Sequence, residues 1–173
     1  MIQTYRTEFE RYKAIGEKAI GQLSEEALNR LAAPGTNSIG MLVRHISGNF
    51  LSRFTDFLTS DGEKPWRNRD AEFAEVVYTR AEIDEGWAQG WGALFAALDE
   101  LQDADLARTI AIRGQALRVD EALARSLAHV SMHVGQIVLL ARIAAGPDWK
   151  WITIPKGGSQ QYNQNPTMEK KLQ

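Results

Sequence analysis

The chain has 173 residues, of which 20 are basic and 22 are acidic, with three histidines and no cysteine. A chain of this length can bury roughly 70% of its unfolded surface in one core, so neither disulfides nor a metal is needed to hold it together. The balanced charge, without a Lys/Arg cluster, argues against nucleic acid as a direct partner, and the lack of cysteine excludes a disulfide framework, a cysteine nucleophile and thiolate metal ligands.

The first part of the chain predicts two long helices. Apolar residues recur at steps of three and four and form one stripe on a first helix: Ile2, Tyr5, Phe9, Tyr12, Ile15, Ala19 and Leu23. Ser24 can cap a short continuation through Leu31, after which A-A-P-G-T-N breaks the helix. Asn37 or Ser38 can cap a second helix, which we expect over residues 39 to about 58.

The middle of the chain is less regular. The segment from Ser60 to Tyr78 carries charges without sustained periodicity, and at this length we expect a loop or an irregular lid. Thr79 and Glu82 form the capping-box pattern T-x-x-E at the start of a third helix that runs to about Leu101. Residues 106–119 alternate apolar and polar residues around R-G-Q, which favours a small hairpin.

The last part predicts a fourth helix and a tail. Asp120 can cap this helix, and Gly146-Pro147 ends it. Four helices joined mostly by short connections predict an all-α fold, a four-helix bundle with a small hairpin before the last helix. We expect a single domain over residues 1–173, with 149–173 as a C-terminal tail. Its aromatic start, W-K-W, should pack, and its end, M-E-K-K-L-Q, should fray.

Two features bear on association and location. The far half of the fourth helix, I-V-L-L-A-R-I-A-A, is apolar nearly all round, and such a helix is usually covered on both sides. A second copy of the chain is the simplest cover, so we expect a homodimer. The first residues mix charges among the apolar ones, and no apolar run approaches the length of a membrane span. We therefore expect a soluble cytoplasmic protein.

The three histidines lie on two of the predicted helices. His129 and His133 are four residues apart, which places them roughly 40° apart on one helix face, near enough to reach one ion. They and His45 lie off the centre of their apolar stripes, where a pocket can open at the edge of the core. If the two helices are neighbours, three imidazoles meet, and three histidines with a free fourth position form a known catalytic zinc arrangement.

Other readings of these histidines stay open. A histidine pair at this spacing is often a solvated or hydrogen-bonded pair, and a lone buried histidine is often a satisfied core residue. The zinc-protease helix motif, H-E-x-x-H, is excluded, because Val130 follows His129. Spacing alone therefore permits a metal site without requiring one.

Two stretches resemble a known family. S-I-G-M-L-V-R-H-I, followed after about eighty residues by H-V-S-M-H-V-G-Q-I-V, resembles the DinB-like (DinB/YfiT) superfamily of metalloenzymes, and W-I-T-I-P-K-G-G-S in the tail resembles an uncharacterised branch of it. The resemblance covers nearly the whole chain. It implies an up-down-down-up bundle, usually a homodimer, with a divalent metal, nickel or zinc and sometimes iron or manganese, on three histidines. The ligand positions fall on His45, His129 and His133, with Gln136 in the adjoining G-Q step.

The resemblance also implies a type of reaction. Three neutral ligands leave a divalent ion its full charge, so a bound water or thiol becomes acidic. Relatives include thiol S-transferases that use low-molecular-weight thiols, which implies transfer of a thiol to a small electrophile. Two alternatives remain: a metal-dependent small-molecule hydrolase, and a non-catalytic dimeric metal-binding or stress-associated bundle.

Supporting residues are less well defined by the sequence. Asn49 and Gln136, each about one turn from a histidine, can hold the ring nitrogens that face away from a metal. Trp66, Arg67 and Arg69 can contact a substrate, although a packed tryptophan with solvated arginines is the interpretation we favour. We assign no general base, because no paired-carboxylate spacing singles one out among the surface acids, Asp56 and Asp70 included.

Overall fold

The computed structural model describes residues 1–166. These form α1 (Ile2–Ile20), α2 (Glu25–Asn29), α3 (Ile39–Phe54), α4 (Arg80–Glu100), α5 (Val119–Ala145) and α6 (Ser159–Gln164), with strands β1 (Thr109–Ile112) and β2 (Gln115–Arg118). Short 3₁₀ turns occupy Asp70–Phe73, Asp103–Ala107 and Gly146–Asp148. The four long helices pack on one another, so the expected all-α bundle with a small hairpin before its last long helix is confirmed.

The packing of α3 on α4 shows that these two helices run in the same direction. Gly40 near the start of α3 lies against Ile83 near the start of α4, and Ser47 half-way along α3 lies against Gly90. The crossover segment, residues 55–79, makes this parallel pairing possible, because a short turn can only join antiparallel helices.

The contacts of α1 complete the course of the chain. Tyr5 donates a hydrogen bond from its hydroxyl to the carbonyl of Asp120 (3.1 Å), so α1 and α5 start at the same end and run parallel. Against α4 the direction is reversed, since Arg6 reaches the carbonyl of Phe95 (3.4 Å) while Gly16 lies under Trp87. The four long helices therefore follow the up-down-down-up course.

Helix starts are set by local capping, as the sequence predicts in three cases. Ser24, Ser38 and Thr79 each accept a hydrogen bond from a backbone N–H in the first turn of α2, α3 and α4. Of the two residues that could cap α3, Ser38 does so. At Thr79 the box is complete, because Glu82 accepts the Thr79 backbone N–H (2.7 Å).

Two expected helix boundaries are wrong. The second long helix ends at Phe54, not near Leu58, because Asp56 adopts a positive φ of 49°. After this turn, the ring of Phe57 still packs on the ring of Phe54 (centroids 5.1 Å apart). The spacing of these apolar residues in the sequence is therefore the same as in a longer helix. Nor does Asp120 cap the fourth helix.

The start of α5 is set by the hairpin that leads into it. The helix begins at Val119, whose N–H donates to the carbonyl of Arg108 (2.9 Å), and this places the cap at Arg118. Glu121 accepts the Arg118 backbone N–H (2.9 Å), while Asp120 lies inside the first turn and pairs with the Arg118 guanidinium (2.6 Å).

The hairpin and the crossover segment are joined. Arg113 and Gly114 form a two-residue turn with φ values of 55° and 69°, as a type I′ hairpin requires. The Asp61 carboxylate accepts the backbone N–H of both residues, at 2.8 and 2.7 Å. Because Gly62 also donates to Ala111 (2.8 Å), the crossover holds the hairpin turn in place.

The central core is aromatic. Phe9, Phe50 and Trp91 pack edge to face, with ring centroids 5.0 to 6.4 Å apart, and tie α1, α3 and α4 together. The indole N–H groups of Trp87 and Trp91 are buried and find no hydrogen-bond partner among residues 1–166. Burial of these large rings therefore outweighs the loss of hydrogen bonds to water for two indole donors.

The outer face of α5 is apolar and exposed. Met132, Leu139 and Ile143 are 54%, 60% and 61% exposed. By length and composition alone, the stretch Val119–Asp148 is the one helical stretch within residues 1–166 that could cross a membrane. This is weak evidence for a span, because a helix that contributes one face to a bundle core passes the same test.

The tail follows the predicted course in part. Trp149 and Ile152 pack against the core, whereas Trp151 is 45% exposed and stacks under Arg142 (4.4 Å from the guanidinium carbon to the ring centroid). The sequence did not predict α6. The expected fraying of M-E-K-K-L-Q lies outside the described residues.

Packing of α3 on α4 yields a matched pair of substitutions. A Cβ at buried Gly90 would lie 2.6 Å from the Cα of Ser47, whereas nothing lies within 4 Å of a Cβ at Gly92. We expect Gly90→Ala to lower the free energy of unfolding by about 1–3 kcal/mol through overpacking. Gly92→Ala should raise it by about 0.4–1 kcal/mol, because alanine loses less backbone entropy in a helix. Urea unfolding of both variants measures the difference, and equal values would contradict this packing.

Candidate metal centre

The three histidines meet between α3 and α5. The Nε2 atom of His129 lies 3.1 Å from the Nε2 of His45 and 3.1 Å from the Nε2 of His133. The potential ligand atoms all lie within 4.8 Å of one another, and His45 and His133 are only 4% and 8% exposed. The convergence predicted from two helix faces is therefore present.

The ring of His45 is held from behind by a buried carboxylate. Its Nδ1 lies 2.8 Å from Oε2 of Glu72, which is 5% exposed, and Arg67 makes two further hydrogen bonds to the same carboxylate (2.8 and 3.0 Å). Burial by itself raises the pKa of Glu72, but the hydrogen bonds from His45 and Arg67 and the arginine charge outweigh it and hold the pKa below its usual value. The carboxylate is therefore ionised and accepts the His45 Nδ1–H.

The other two rings lie on α5. Nδ1 of His133 lies 2.8 Å from the side-chain oxygen of Gln136, to which it donates. Burial lowers the pKa of His129 to about 4, with His133, His45 and the nearby arginines adding to the effect. Burial also lowers the pKa of His133, although the hydrogen bond to Gln136 opposes the shift. Both rings are therefore neutral at neutral pH, as metal ligands must be.

These hydrogen bonds fit a cation. His45 and His133 each donate from Nδ1, so in its neutral form each ring carries a lone pair on Nε2, and both Nε2 atoms face Nε2 of His129. His129 has at most one proton there, so at least one lone pair faces another without a hydrogen. A divalent ion here would accept a lone pair from each ring, and a carboxylate or amide behind a ligand, as at His45 and His133, is the usual support for such a site.

The predicted supporting residues fare differently. Gln136 lies where the sequence placed it, against His133. Asn49 does not contact a histidine ring by hydrogen bond within residues 1–166, and Glu72 occupies the position behind His45. Sequence reasoning missed Glu72 because it lies 27 residues from His45 on an irregular turn. Gly48 reflects this contact, because a Cβ there would lie 2.8 Å from the Glu72 carboxyl carbon, but a glycine in the sequence does not identify the partner.

The favoured interpretation of the crossover segment is wrong. Trp66 is 58% exposed instead of packed, and the Arg67 side chain is 2% exposed instead of solvated. Burying Arg67 requires a partner for its charge, which Glu72 provides. Arg69 is half-exposed, with its guanidinium 5.1 Å from the ring centroid of Phe73.

A cavity of about 170 Å³, called the site cavity below, opens beside the histidines. Its wall includes His45 and Asn49 from α3, and Ser126 and His129 from α5. The crossover segment and the hairpin complete the wall. The centre can therefore be reached by a small molecule from the side of His45 and His129, while His133 is not part of the cavity wall.

The fold and the centre together define a class: a helical bundle with a three-histidine candidate metal centre beside a small cavity. A conserved protein from Enterococcus faecalis, known from its crystal structure, has a similar fold, with a TM-score of 0.65, 18% identity, and coverage of 84% of this chain and 98% of that one. Among curated protein sequences, none matches this chain.

The sequence identifies the family. Residues 1–158 match the model of a family described as "Protein of unknown function (DUF1572)", and the chain belongs to this family. The family is an uncharacterised group of the DinB-like (YfiT) type, so the resemblance recognised in the histidine motifs is confirmed.

The lowered pKa of His129 predicts how stability depends on pH. In the presence of a chelator, the unfolded chain takes up a proton at His129 near pH 6.5, whereas the folded chain does so only near pH 4. The unfolded state therefore binds more protons between these values, and the contribution of this group to the free energy of unfolding is lost as pH falls from 6.5 towards 4.

Comparison of wild type with His129→Gln isolates this contribution. We expect urea midpoints of the wild type to fall more steeply between pH 7 and pH 5 than those of the variant, because glutamine does not titrate. Parallel curves over this range would show that burial does not depress the pKa of His129.

Proposed function

We propose that this protein is a cytoplasmic, divalent-metal-dependent enzyme that activates a thiol or a water molecule for transfer to a small electrophile. The observation that carries the proposal is the convergence of three Nε2 atoms, from His45, His129 and His133, beside a cavity. Nickel and zinc are the ions we favour, because three imidazoles suit both and the family resemblance implies them.

Each residue of the centre has a defined task in this proposal. A divalent ion on three neutral ligands supplies a Lewis acid that makes a coordinated thiol or water acidic near neutral pH. Glu72 orients His45 and increases its basicity, and Gln136 orients His133. Arg67 keeps Glu72 ionised. His133 is buried and is not part of the cavity wall, so a substrate would approach from the side of His45 and His129, where the site cavity opens.

Thiol transfer is the reaction we place first. Its support is the resemblance to DinB-like thiol S-transferases, which use low-molecular-weight thiols. Hydrolysis requires the same three ligands and differs only in the group that is activated, so assays of both reactions are needed. Thiols are tested against a model electrophile, with water as the competing nucleophile. The ratio of thiol adduct to hydrolysis product then distinguishes the two reactions.

A second candidate function is a non-catalytic metal-binding or stress-associated bundle. One observation favours it: no carboxylate is part of the wall of the site cavity within residues 1–166, so no general base is in reach there. Glu72, the nearest buried acid, is already engaged by Arg67 and His45. Stoichiometric metal without turnover on any thiol or water assay would favour this candidate.

Metal content tests the centre itself. Wild-type protein purified without a nickel column or chelator should carry or take up one divalent ion per chain, measured by mass spectrometry of the metal. His45→Ala, His129→Ala and His133→Ala should each lose stoichiometric metal while keeping their helical circular dichroism. A wild type that cannot be loaded with nickel or zinc would refute the metal site.

The role of Glu72 predicts a graded effect. Glu72→Gln removes the charge behind His45, so we expect metal affinity to fall by about 10–100-fold, as for other residues that support metal ligands. Glu26→Gln makes the same chemical change at an exposed position on α2 and should leave the affinity unchanged. Competition with a chromophoric chelator measures the metal affinity of both variants. If Glu72→Gln binds metal as tightly as Glu26→Gln does, Glu72 does not support the metal site.

We also propose that the protein is a homodimer formed through the outer face of α5. Support comes from the exposure of Leu139 and Ile143, which lie one turn apart on a helix whose other face is in the core. Contact between the outer faces of two α5 helices would also explain why this helix is apolar, without requiring that it span a membrane. We also propose a cytoplasmic location. Its support is limited to an argument against a membrane span: α5 carries two of the ligands, which a span would place in lipid.

Sedimentation of one charged variant tests the dimer. We expect wild type to sediment as a dimer and Ile143→Lys as a monomer, because a buried, unpaired lysine opposes association. Val77, 76% exposed in the crossover segment, provides the control, and Val77→Lys should remain dimeric. A monomeric wild type at micromolar concentration would refute the proposed dimer.

A further inference from the structure

The wall of the site cavity is unusually rich in arginine. Five guanidinium groups line it: Arg53, Arg67, Arg69, Arg113 and Arg125. Asn49, Ser126 and two imidazoles add polar groups, and no carboxylate from residues 1–166 is part of the wall. Cavities that take uncharged organic ligands are mostly apolar and several times larger.

Few nearby carboxylates offset these charges. Arg53 and Arg113 share one oxygen of Glu63, at 3.2 and 2.9 Å, so two guanidinium groups face a single acid. Arg67 is paired with Glu72, which His45 also uses. The ion pairs that hold these arginines in place therefore offset only part of the positive charge of the cavity wall.

Two arginines are available to a ligand. Arg125 is exposed and has no ion-pair or hydrogen-bond partner within the described part of the chain. Within residues 1–166, the Arg69 guanidinium lies over the ring of Phe73 and makes one long ion-pair contact, with Asp70 (4.0 Å), an acid whose own side chain is 99% exposed. An exposed pair of this length contributes little, so both guanidinium groups can turn to an incoming anion.

The arginines are continuous with the metal ligands. On α3, His45, Asn49 and Arg53 follow one another at steps of four, and on α5 Arg125 precedes His129 by four residues. Residues at this spacing share a helix face, so each helix presents a histidine deep in the site and an arginine nearer the mouth. Burial lowers the pKa of Arg53; Glu63 opposes this shift, and the charges of Arg67 and Arg113 add to it.

We propose that the site cavity binds the anionic group of the substrate, a carboxylate or a phosphate, beside the three-histidine centre. This rests on the proposed function, in that the bound group would hold the rest of the substrate within reach of the metal. A volume of about 170 Å³ corresponds to about six water molecules, which fits one or two carboxylates or one phosphate. Arginine recognises both groups through paired hydrogen bonds.

Binding of small probes tests the cavity separately from the metal. Malonate and inorganic phosphate are titrated into full-length protein by calorimetry, in chelator and again after loading with zinc, at constant ionic strength. Malonamide, the uncharged analogue of malonate, is the control ligand. We expect malonate or phosphate to bind at least about tenfold more tightly than malonamide in both states. Tighter malonate identifies a carboxylate site and tighter phosphate identifies a phosphate site.

Two arginine variants locate the binding. Arg125→Gln should weaken the preferred anion by about tenfold, because it removes the unpaired guanidinium at the mouth. Arg30→Gln removes the same charge at an exposed position outside the cavity wall and should have no effect. Both residues are exposed, so both variants should fold, as circular dichroism can verify.

Three outcomes would overturn the proposal. Anions that bind no better than malonamide would show that the arginines do not form a site, whatever the metal does. Anion binding that disappears in chelator would assign the anion to the metal instead of the arginines. If Arg125→Gln and Arg30→Gln weaken anion binding equally, the binding depends on the net charge of the protein and not on the site cavity. A protein that binds anions in chelator but cannot be loaded with metal would retain this inference and lose the proposed function.

Discussion

One buried carboxylate, Glu72, joins the irregular crossover to the histidine centre. It accepts hydrogen bonds from His45 on one side and from Arg67 on the other, and all three side chains are almost fully withdrawn from solvent. A buried ionised group is costly unless it is paired and hydrogen-bonded, so the three groups stabilise one another's burial. Gly48 leaves the space that this carboxylate fills. The crossover is thus part of the site as well as a connection.

The up-down-down-up course determines which side chains meet at the site. Since α1 and α5 run parallel, and α3 runs against both, the ladder of His45, Asn49 and Arg53 lies opposite the ladder of His133, His129 and Arg125 in reverse order. On each of these two helices the histidine is therefore more buried than the arginine, and Arg53 and Arg125 lie nearer to solvent. A neutral ligand set beside a cationic wall favours substrates that are themselves anionic.

Much of the fold could be predicted because its determinants are local. The capping residues Ser24, Ser38 and Thr79 and the apolar stripes act within one or two helical turns, so sequence alone predicts them. The errors arose where a turn imitates helical spacing, as at Phe57, or where a neighbouring strand sets the helix start, as at Arg118. Both boundaries depend on tertiary contacts, which the periodicity of apolar residues in the sequence does not show.

By itself, the sequence determined the class of fold, the residue types available as ligands, and the helix faces on which His45, His129 and His133 lie. Only the tertiary structure decided that Glu72 supports His45, that Arg67 is buried, and that arginines from four segments surround one cavity. The reason is physical. Helical periodicity tells which way a side chain points along its own helix, whereas a partner for a buried charge is chosen in three dimensions, from whatever segment the fold brings near.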